Sequence, residues 1–285
     1  MAQVNTRFVK VGLIGAGIQA SRSPRLHEQE AKDSGFSCSY QLFDLGRLGV
    51  GIEALPQLLA AAEQQSFAGL NITHPCKQAV IPFLDSLSED AAAIGAVNTV
   101  VFKDGKRIGH NTDCNGFAQS FRRGLGDVSL GNVVLLGAGG AGSAVAHAAL
   151  QMGVERLAIH DSDNSRAESL INRISERFGE QRACMASNLA ESMSESDGLI
   201  QATPVGMLGH TGLPLPIELL RARHWLAEII YFPLETELLR KARALGCRTL
   251  DGGGMAVFQA AEAFRLFTGV TPDYERMLRN FAAMS

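Results

Sequence analysis

No apolar run in the chain approaches the roughly 20 residues that a membrane-spanning helix needs, so no membrane association is expected. No cluster of lysine and arginine marks a nucleic-acid surface either. With a net charge of −3, an anionic ligand must be held by local geometry rather than by a broad positive field. The cysteines are few and unpaired. Cys38, Cys76, Cys114, Cys184 and Cys247 are odd in number and scattered, with no C-x-x-C spacing. Reduced thiols in a cytoplasmic protein are the simplest reading. Val9 to Ile18 is apolar but short and punctuated by glycine, and no A-x-A-type site follows, so no secretory leader is expected. Internal repeats and low-complexity tracts are also lacking. What is present is a globular composition, 46% hydrophobic and 19% charged, over 285 residues. That length suits two domains better than one.

Strand-like and helix-like segments alternate. Residues 9–14 read as a strand, and 24–34 as a helix entered through Ser23 as cap and Pro24 as first helical residue. Tyr40 to Phe43 reads as a strand, 53–65 as a helix, Phe67 to Ile72 as a strand and Pro75 to Leu84 as a short helix. This order predicts a mixed sheet covered by helices. A boundary is expected near 118–130, where Arg122 to Gly131 is polar and contains glycine. Beyond it the pattern tightens. Val133 to Leu136 is a compact strand signal, followed by a glycine turn, an alanine-rich helix 141–152 and the strand Arg156 to His160. Further strands are expected at Gly198 to Ile200 and Leu226 to Ile230. A helix is expected at 255–267, with Ala260, Ala263, Phe264 and Phe267 on one face.

Two glycine turns compete as phosphate cradles. Gly15-Ala16-Gly17 with Ala20 fits G-x-G-x-x-A, but Ser21-Arg22-Ser23-Pro24 follows it where a helix should open. The turn Gly137-Ala138-Gly139-Gly140-Ala141-Gly142 has the strand before it and the small-residue helix after it that a dinucleotide turn requires. Asp161 ends the next strand, where a carboxylate meets ribose hydroxyls, favouring NAD and repelling the 2′-phosphate of NADP. Asp163 adds negative charge, although Asp163-Asn164-Ser165 also reads as a helix cap. Arg166 is in reach of a phosphate, so NADP stays possible.

Four polar segments interrupt apolar stretches in the N-terminal half: Ser21 to Pro24, Asn71 to Lys77, Asn98-Thr99, and Asn111 to Asp113. Together they offer hydroxyls, amides, an amine and a carboxylate, which suits a small polyhydroxylated ligand whose groups must be matched one for one. In these segments the chain resembles the shikimate/quinate dehydrogenase family over essentially its full length. The motifs that carry the resemblance are S-x-S-P-x-x-H at Ser21 to His27, N-[VI]-T-x-P-x-K at Asn71 to Lys77, G-A-V-N-T at Gly95 to Thr99 and N-T-D-x-x-G at Asn111 to Gly116. G-A-G-G-A at Gly137 to Ala141, A-T-P-x-G-M at Ala202 to Met207 and Y-x-P-x-x-T-x-L-L at Tyr231 to Leu239 continue it. Gly252, Met255 and Gln259 complete the late G-x-x-M-x-x-x-Q.

The resemblance implies an α/β chain of two parts. A three-layer N-terminal substrate domain with a mostly parallel sheet spans 1–120, and a Rossmann dinucleotide-binding domain spans 121–254. A helical segment, 255–285, packs back on the first. It implies Lys77 and Asp113 as the catalytic pair, and Ser21, Ser23, Asn71, Thr73, Asn98, Tyr231 and Gln259 as substrate contacts. Gly137, Ala138, Gly139, Gly140, Ala141, Asp161, Asp163, Arg166, Thr203, Pro204, Gly252 and Met255 fall to the cofactor. The chemistry agrees independently: oxidising a secondary alcohol sends a hydride to a nicotinamide while a base takes the hydroxyl proton. Lys77 is the natural base, either as a free amine or in a relay with Asp113.

Where NADP-linked members commonly carry N-R-[ST], this chain has His160-Asp161-Ser162-Asp163, as in the NAD-linked branch. It also has Ala20 in place of a common histidine and Gln201 in place of a common asparagine, both able to alter pocket shape. The function expected is therefore an NAD-preferring oxidoreductase, reversibly oxidising shikimate or quinate to the 3-dehydro ketone, as a monomer or homodimer. An NADP-linked biosynthetic shikimate dehydrogenase is the alternative. A catalytically silent NAD-sensing regulator is a third reading, against which Lys77 and Asp113 argue. His27 and His74 read as packing or capping residues, and with no third ligand at metal spacing no metal is expected. Cys76 and Cys114 flank the reactive positions and read by default as filler, with sensitivity to thiol reagents as the alternative.

Overall fold

The computed structural model describes residues 7–284, which cluster into two compact units. The first contains residues 7–112 and 257–284, and the second 113–256.

The first unit is built on a six-stranded sheet in the order β2-β1-β3-β5-β6-β4. Its strands are β1 (Phe8–Gly15), β2 (Ser37–Asp44), β3 (Gly69–Ile72), β4 (Ser86–Leu87), β5 (Thr99–Lys103) and β6 (Lys106–His110). Three of the five pairings are parallel, and β5 runs antiparallel to both its neighbours. Alternation along β1 sends its side chains to two cores. Val9, Val11 and Leu13 pack with Phe36, Phe264 and Phe267, whereas Ile14 packs with Leu55, Leu59, Leu70 and Ile72. Helices therefore cover both faces: Ser23–Asp33 and the later part of Gly253–Thr268 on one, Leu55–Gln64 on the other. β3 must begin with glycine. A Cβ at Gly69 would stand 2.3 Å from the Val100 carbonyl and 2.5 Å from the Phe267 ring.

The local differences from expectation have physical causes. Arg22, not Ser23, takes the capping position of the first helix, and no side chain caps it; Ser23 and Pro24 lie inside its first turn. β2 starts at Ser37, before its apolar residues, because its register follows β1 from Phe8↔Ser37 onward. The helix expected over Pro75 to Leu84 is split into Cys76–Ala79 and the 3₁₀ turn Ile81–Phe83, since Pro82 cannot donate to a continuous helix. The hairpin of β5 and β6, whose second strand is mostly polar, is absent from the sequence reading, yet its turn is an Asp104-Gly105 pair with φ of 52° and 71°.

The second unit holds six parallel strands: β7 (Asn132–Leu136), β8 (Arg156–His160), β9 (Ala183–Met185), β10 (Gly198–Gln201), β11 (Trp225–Glu228) and β12 (Arg248–Leu250). Their order, β12-β11-β10-β7-β8-β9, is the doubly wound Rossmann arrangement, which reverses direction between β7 and β10. Residues 113–120, which the sequence assigned to the first part, cluster here. The polar stretch expected to mark a boundary is instead partly the helix Thr112–Leu125, whose buried Phe121 meets the Trp225 ring edge-on at 5.0 Å. No described helix is long and apolar enough to cross a membrane.

Two buried carboxylates govern how these units are held. In the first, Glu30 is fully buried and accepts from the Asp273 backbone N–H (2.9 Å) and from Arg276 through Nε (3.1 Å) and Nη2 (2.6 Å), which ties the helix Tyr274–Ala282 down. Truncating Arg276 leaves that carboxylate uncompensated. Arg276→Ala is expected to lower the unfolding free energy by on the order of 2–4 kcal/mol in urea melts; a loss below ~0.5 kcal/mol would show that the pair is solvated. In the second unit, Glu228 ends β11 and accepts from the Thr236 hydroxyl, which in turn caps the helix Glu237–Ala244. Burial, with Asp251 nearby, pushes the Glu228 carboxyl up to about 7. Its contribution is complete below the ordinary carboxylate range and is lost as pH rises through about 7. The Tm advantage of Glu228→Gln over the parent is therefore expected to widen between pH 5 and pH 8, and a constant gap would contradict this assignment.

Candidate active site

The turn after β7 has the geometry of a dinucleotide cradle. Gly137 takes φ +96°, and a Cβ there would also lie 2.9 Å from the Ala202 carbonyl. At Gly142 a Cβ would strike the Gly137 carbonyl at 2.0 Å, so the helix Gly140–Met152 packs closely only with glycine there. Gly139 caps that helix without a side-chain acceptor, and a Cβ on it would meet nothing within 4 Å. The first turn of a helix has N–H groups without intrahelical partners at a positive end, and no side chain caps them here, which fits a pyrophosphate. Asp161, nearly buried just past β8, accepts the Ala138 N–H at 2.7 Å and the Asp163 N–H at 2.9 Å. Each of its oxygens keeps acceptor capacity for a ribose hydroxyl. Asp163 caps the helix Asn164–Phe178 through the Ser165 N–H (3.0 Å) and pairs with Arg166 at 3.4 Å.

The competing turn at Gly15 is built differently. The N–H groups of Gly17 and Ile18 both donate to the buried Asp44 carboxylate at 3.2 Å, and Gln19 Nε2 donates to it at 2.9 Å. These hydrogen bonds, the Gln19 amide foremost, hold the Asp44 carboxyl below its usual range. An anion-binding concavity is thus filled by the chain's own anion. Gly15 is needed for another reason: the Thr73 methyl lies 2.3 Å from where its Cβ would be. Asp44 ends β2 and Asp161 directly follows β8, a parallel that the sequence reading does not draw.

Past β10, Gln201 shapes the loop that carries Thr203 and Pro204. It is fully buried; its Nε2 donates to Thr203 Oγ1 and to the Val205 carbonyl, both at 2.9 Å, and its Oε1 accepts the Thr203 N–H at 3.1 Å. The longer amide at this departure from the family pattern therefore organises the loop. Half-buried Tyr231 lies on the loop between β11 and Thr236. Gly252 has no room for a side chain, since a Cβ would sit 2.4 Å from the Ile229 and Ile230 carbonyls, and Met255 is buried.

In the first unit, the C-terminal ends of β1 and β3 and the N-terminal end of β5 lie together. Ser21 and Ser23, both half-buried, follow β1, with Ser21 Oγ accepting the Ser23 N–H at 3.3 Å. Asn71 on β3 stands opposite Thr99 on β5. Thr73 extends β3 by donating its N–H to the Ile14 carbonyl (2.9 Å). Lys77, half-buried in the short helix Cys76–Ala79, accepts the Val97 N–H on its carbonyl at 2.8 Å, joining its segment to the Gly95 to Thr99 motif. Asn98 is buried, and Gln259 is half-buried on the helix Gly253–Thr268. Asp113 is buried at the start of the helix Thr112–Leu125 and clusters with the second unit, as does Tyr231. Cys76 is fully buried, and burial pushes its thiol up to about 11, which suits the filler reading over the alternative of thiol-reagent sensitivity there. His27 is enclosed by Tyr40, Phe264 and Phe267, and burial holds it neutral with a pKa near 3.

Comparison with known proteins follows the same division. The shikimate dehydrogenase substrate binding domain matches residues 13–100, and the shikimate 5′-dehydrogenase C-terminal domain matches 252–279. The C-terminal domain of alanine dehydrogenase/PNT matches 117–209. A quinate/shikimate dehydrogenase (NAD(+)) of Corynebacterium efficiens is 45% identical over 284 residues, covering 99% of this chain and 100% of the relative. The quinate dehydrogenase of Corynebacterium glutamicum, solved in complex with NAD, superposes with a TM-score of 0.89 at 44% identity, covering 97% of this chain and 100% of the other. A shikimate dehydrogenase (NADP(+)) of Streptomyces avermitilis is 57% identical over 277 residues, covering 96% of this chain and 95% of the relative. On this likeness across nearly its whole length, the chain belongs to the shikimate dehydrogenase family.

Proposed function

We propose that the chain is an NAD-preferring dehydrogenase that interconverts shikimate or quinate with the corresponding 3-dehydro ketone. The observation that carries the cofactor preference is Asp161. Its carboxylate is already oriented by the Ala138 and Asp163 N–H groups, and it offers the remaining lone pairs to ribose hydroxyls while opposing a 2′-phosphate. The relatives from the two Corynebacterium species are named for NAD or solved with it. A second reading, NADP-linked shikimate dehydrogenase, is favoured by the name of the Streptomyces relative and by the exposed Arg166 close to the same strand end.

The first unit supplies the groups that recognise the hydroxy acid. Ser21 and Ser23 hydroxyls suit the carboxylate, while Asn71, Thr73, Asn98 and Gln259 suit ring hydroxyls. Tyr231 also contacts the substrate. Lys77 and Asp113 form the pair that handles the hydroxyl proton as the carbinol carbon becomes a carbonyl, with Lys77 Nζ the acceptor. Gly137, Ala138, Gly139, Gly140 and Ala141 cradle the pyrophosphate, and Thr203, Pro204, Gly252 and Met255 line the nicotinamide side. Bound NAD supplies the hydride acceptor. Five scattered cysteines with no C-x-x-C spacing accord with action in the cytoplasm.

Initial rates with shikimate and with quinate, each paired with NAD and with NADP, test the proposal. A kcat/KM for NAD at least about tenfold above that for NADP is expected, and the reverse preference would establish the second reading. Lys77→Ala is expected to lower kcat by roughly 10²- to 10⁴-fold with little change in KM; a rate within about twofold of the parent would remove Lys77 from proton transfer.

A further inference from the structure

Five buried polar side chains of the first unit form one continuous hydrogen-bonded chain, and its direction can be read from a single donor that cannot be reversed. The backbone N–H of Thr112 donates to Asn98 Oδ1 at 2.8 Å. That fixes which end of the Asn98 amide is oxygen, and Nδ2 accordingly donates to Thr112 Oγ1 at 2.9 Å. The Thr99 hydroxyl donates to the same Asn98 oxygen at 3.1 Å. Having given its hydrogen to Asn98, Thr99 Oγ1 can only accept from Asn71, whose Nδ2 lies 3.0 Å away. The other hydrogen of that Nδ2 points to the Asn98 carbonyl at 3.4 Å. Asn71 Oδ1 therefore stands at the far end as an acceptor and receives the Tyr40 hydroxyl at 2.9 Å. The register explains the contact, because Asn71 and Thr99 are directly opposed on β3 and β5. All five residues are buried, and Thr99 has no exposed surface at all.

We infer that Thr99, with Tyr40 closing the far end, is a positioning residue that sets the polarity of the two amides facing the hydroxy acid: Asn71 presents an acceptor and Asn98 a donor. This rests on the proposed role of Asn71 and Asn98 as substrate contacts. Both hydrogens of Asn71 Nδ2 are committed within the protein, so only a lone pair of Oδ1 is left for a ligand. Both lone pairs of Asn98 Oδ1 are taken, so only one hydrogen of its Nδ2 is left. An acceptor beside a donor matches hydroxyl groups, which can give and receive a hydrogen bond. It does not match a carboxylate, which has no hydrogen to give Asn71. The pair therefore selects for the hydroxylated part of the ligand and leaves its acid group to the serines. Thr99 itself touches no ligand in this scheme and acts through Asn71.

Steady-state kinetics of the full chain at saturating dinucleotide separate the possibilities. Thr99→Val, which keeps the shape and removes the hydroxyl, is expected to raise KM for the hydroxy acid about tenfold with kcat within about threefold and dinucleotide KM unchanged. Thr99→Ser, which restores the hydroxyl, is expected to bring KM back to within about threefold of the parent. Tyr40→Phe is expected to move KM in the same direction by a smaller factor and serves if Thr99→Val does not fold. If Asn71→Ala raises KM while Thr99→Val or Tyr40→Phe does not, the polarity inference fails and the substrate role of Asn71 stands. If Asn71→Ala itself leaves KM unchanged, the substrate role of Asn71 fails. A Thr99→Val enzyme with a lower folded fraction and an unaltered KM would assign Thr99 to folding alone and overturn the inference.

Discussion

The bond from the Thr112 N–H to Asn98 Oδ1 is the constraint to which five buried polar side chains of the first unit conform. A backbone N–H cannot accept, and a buried polar atom left without a partner costs about 1–3 kcal/mol. Reversing any one amide or hydroxyl in the chain from Thr112 to Tyr40 would set donor against donor or acceptor against acceptor at its neighbours. The orientation of Asn71, on a strand 41 positions earlier, is thereby decided at the start of the helix Thr112–Leu125. Strand pairing supplies the contacts, and the backbone supplies their direction. A site formed in this way is oriented before any ligand arrives, so little ordering is needed on binding.

The second unit applies a related device to its glycine turn. Asp161 holds the Ala138 N–H, and Asp44 in the first unit holds those of Gly17 and Ile18. In both places a carboxylate ending one strand clamps the turn that follows its parallel neighbour. The outcomes differ because of what comes next. After Gly139 the chain enters a long helix whose first turn has no side-chain cap. After Gly17 it enters a loop, and Asp44 with Gln19 closes the concavity. The same local motif thus has the form of a dinucleotide cradle in one unit and is a closed structural turn in the other.

Most of the architecture could be read from the sequence where apolar period and turn chemistry agreed. β8 occupies Arg156–His160 as expected, and β7, the following helix and β10 differ by a residue or so. In two of the elements passed over the apolar residues are outnumbered. The β5–β6 hairpin is rich in lysine and arginine, and the helix Thr112–Leu125 hides Phe117 and Phe121 among polar neighbours. Motifs located the residues of the candidate site, but they could not show what supports those residues. Tyr40 reads as an ordinary strand residue, Thr99 as one hydroxyl of a polar segment, and Gln201 as a substitution that alters pocket shape. Their contributions arise from register and from hydrogen-bond direction, which exist only once β3 and β5 are paired and the loop after β10 is folded.

The central claim, that the interior amides are preset to recognise hydroxyls, is tested most directly by a crystal structure of this chain with shikimate bound. The expected result places a ring hydroxyl within about 3 Å of Asn71 Oδ1, with the carboxylate against Ser21 and Ser23. A carboxylate oxygen against Asn71 Oδ1, or an Asn71 amide turned to offer its nitrogen to the ligand, would contradict it.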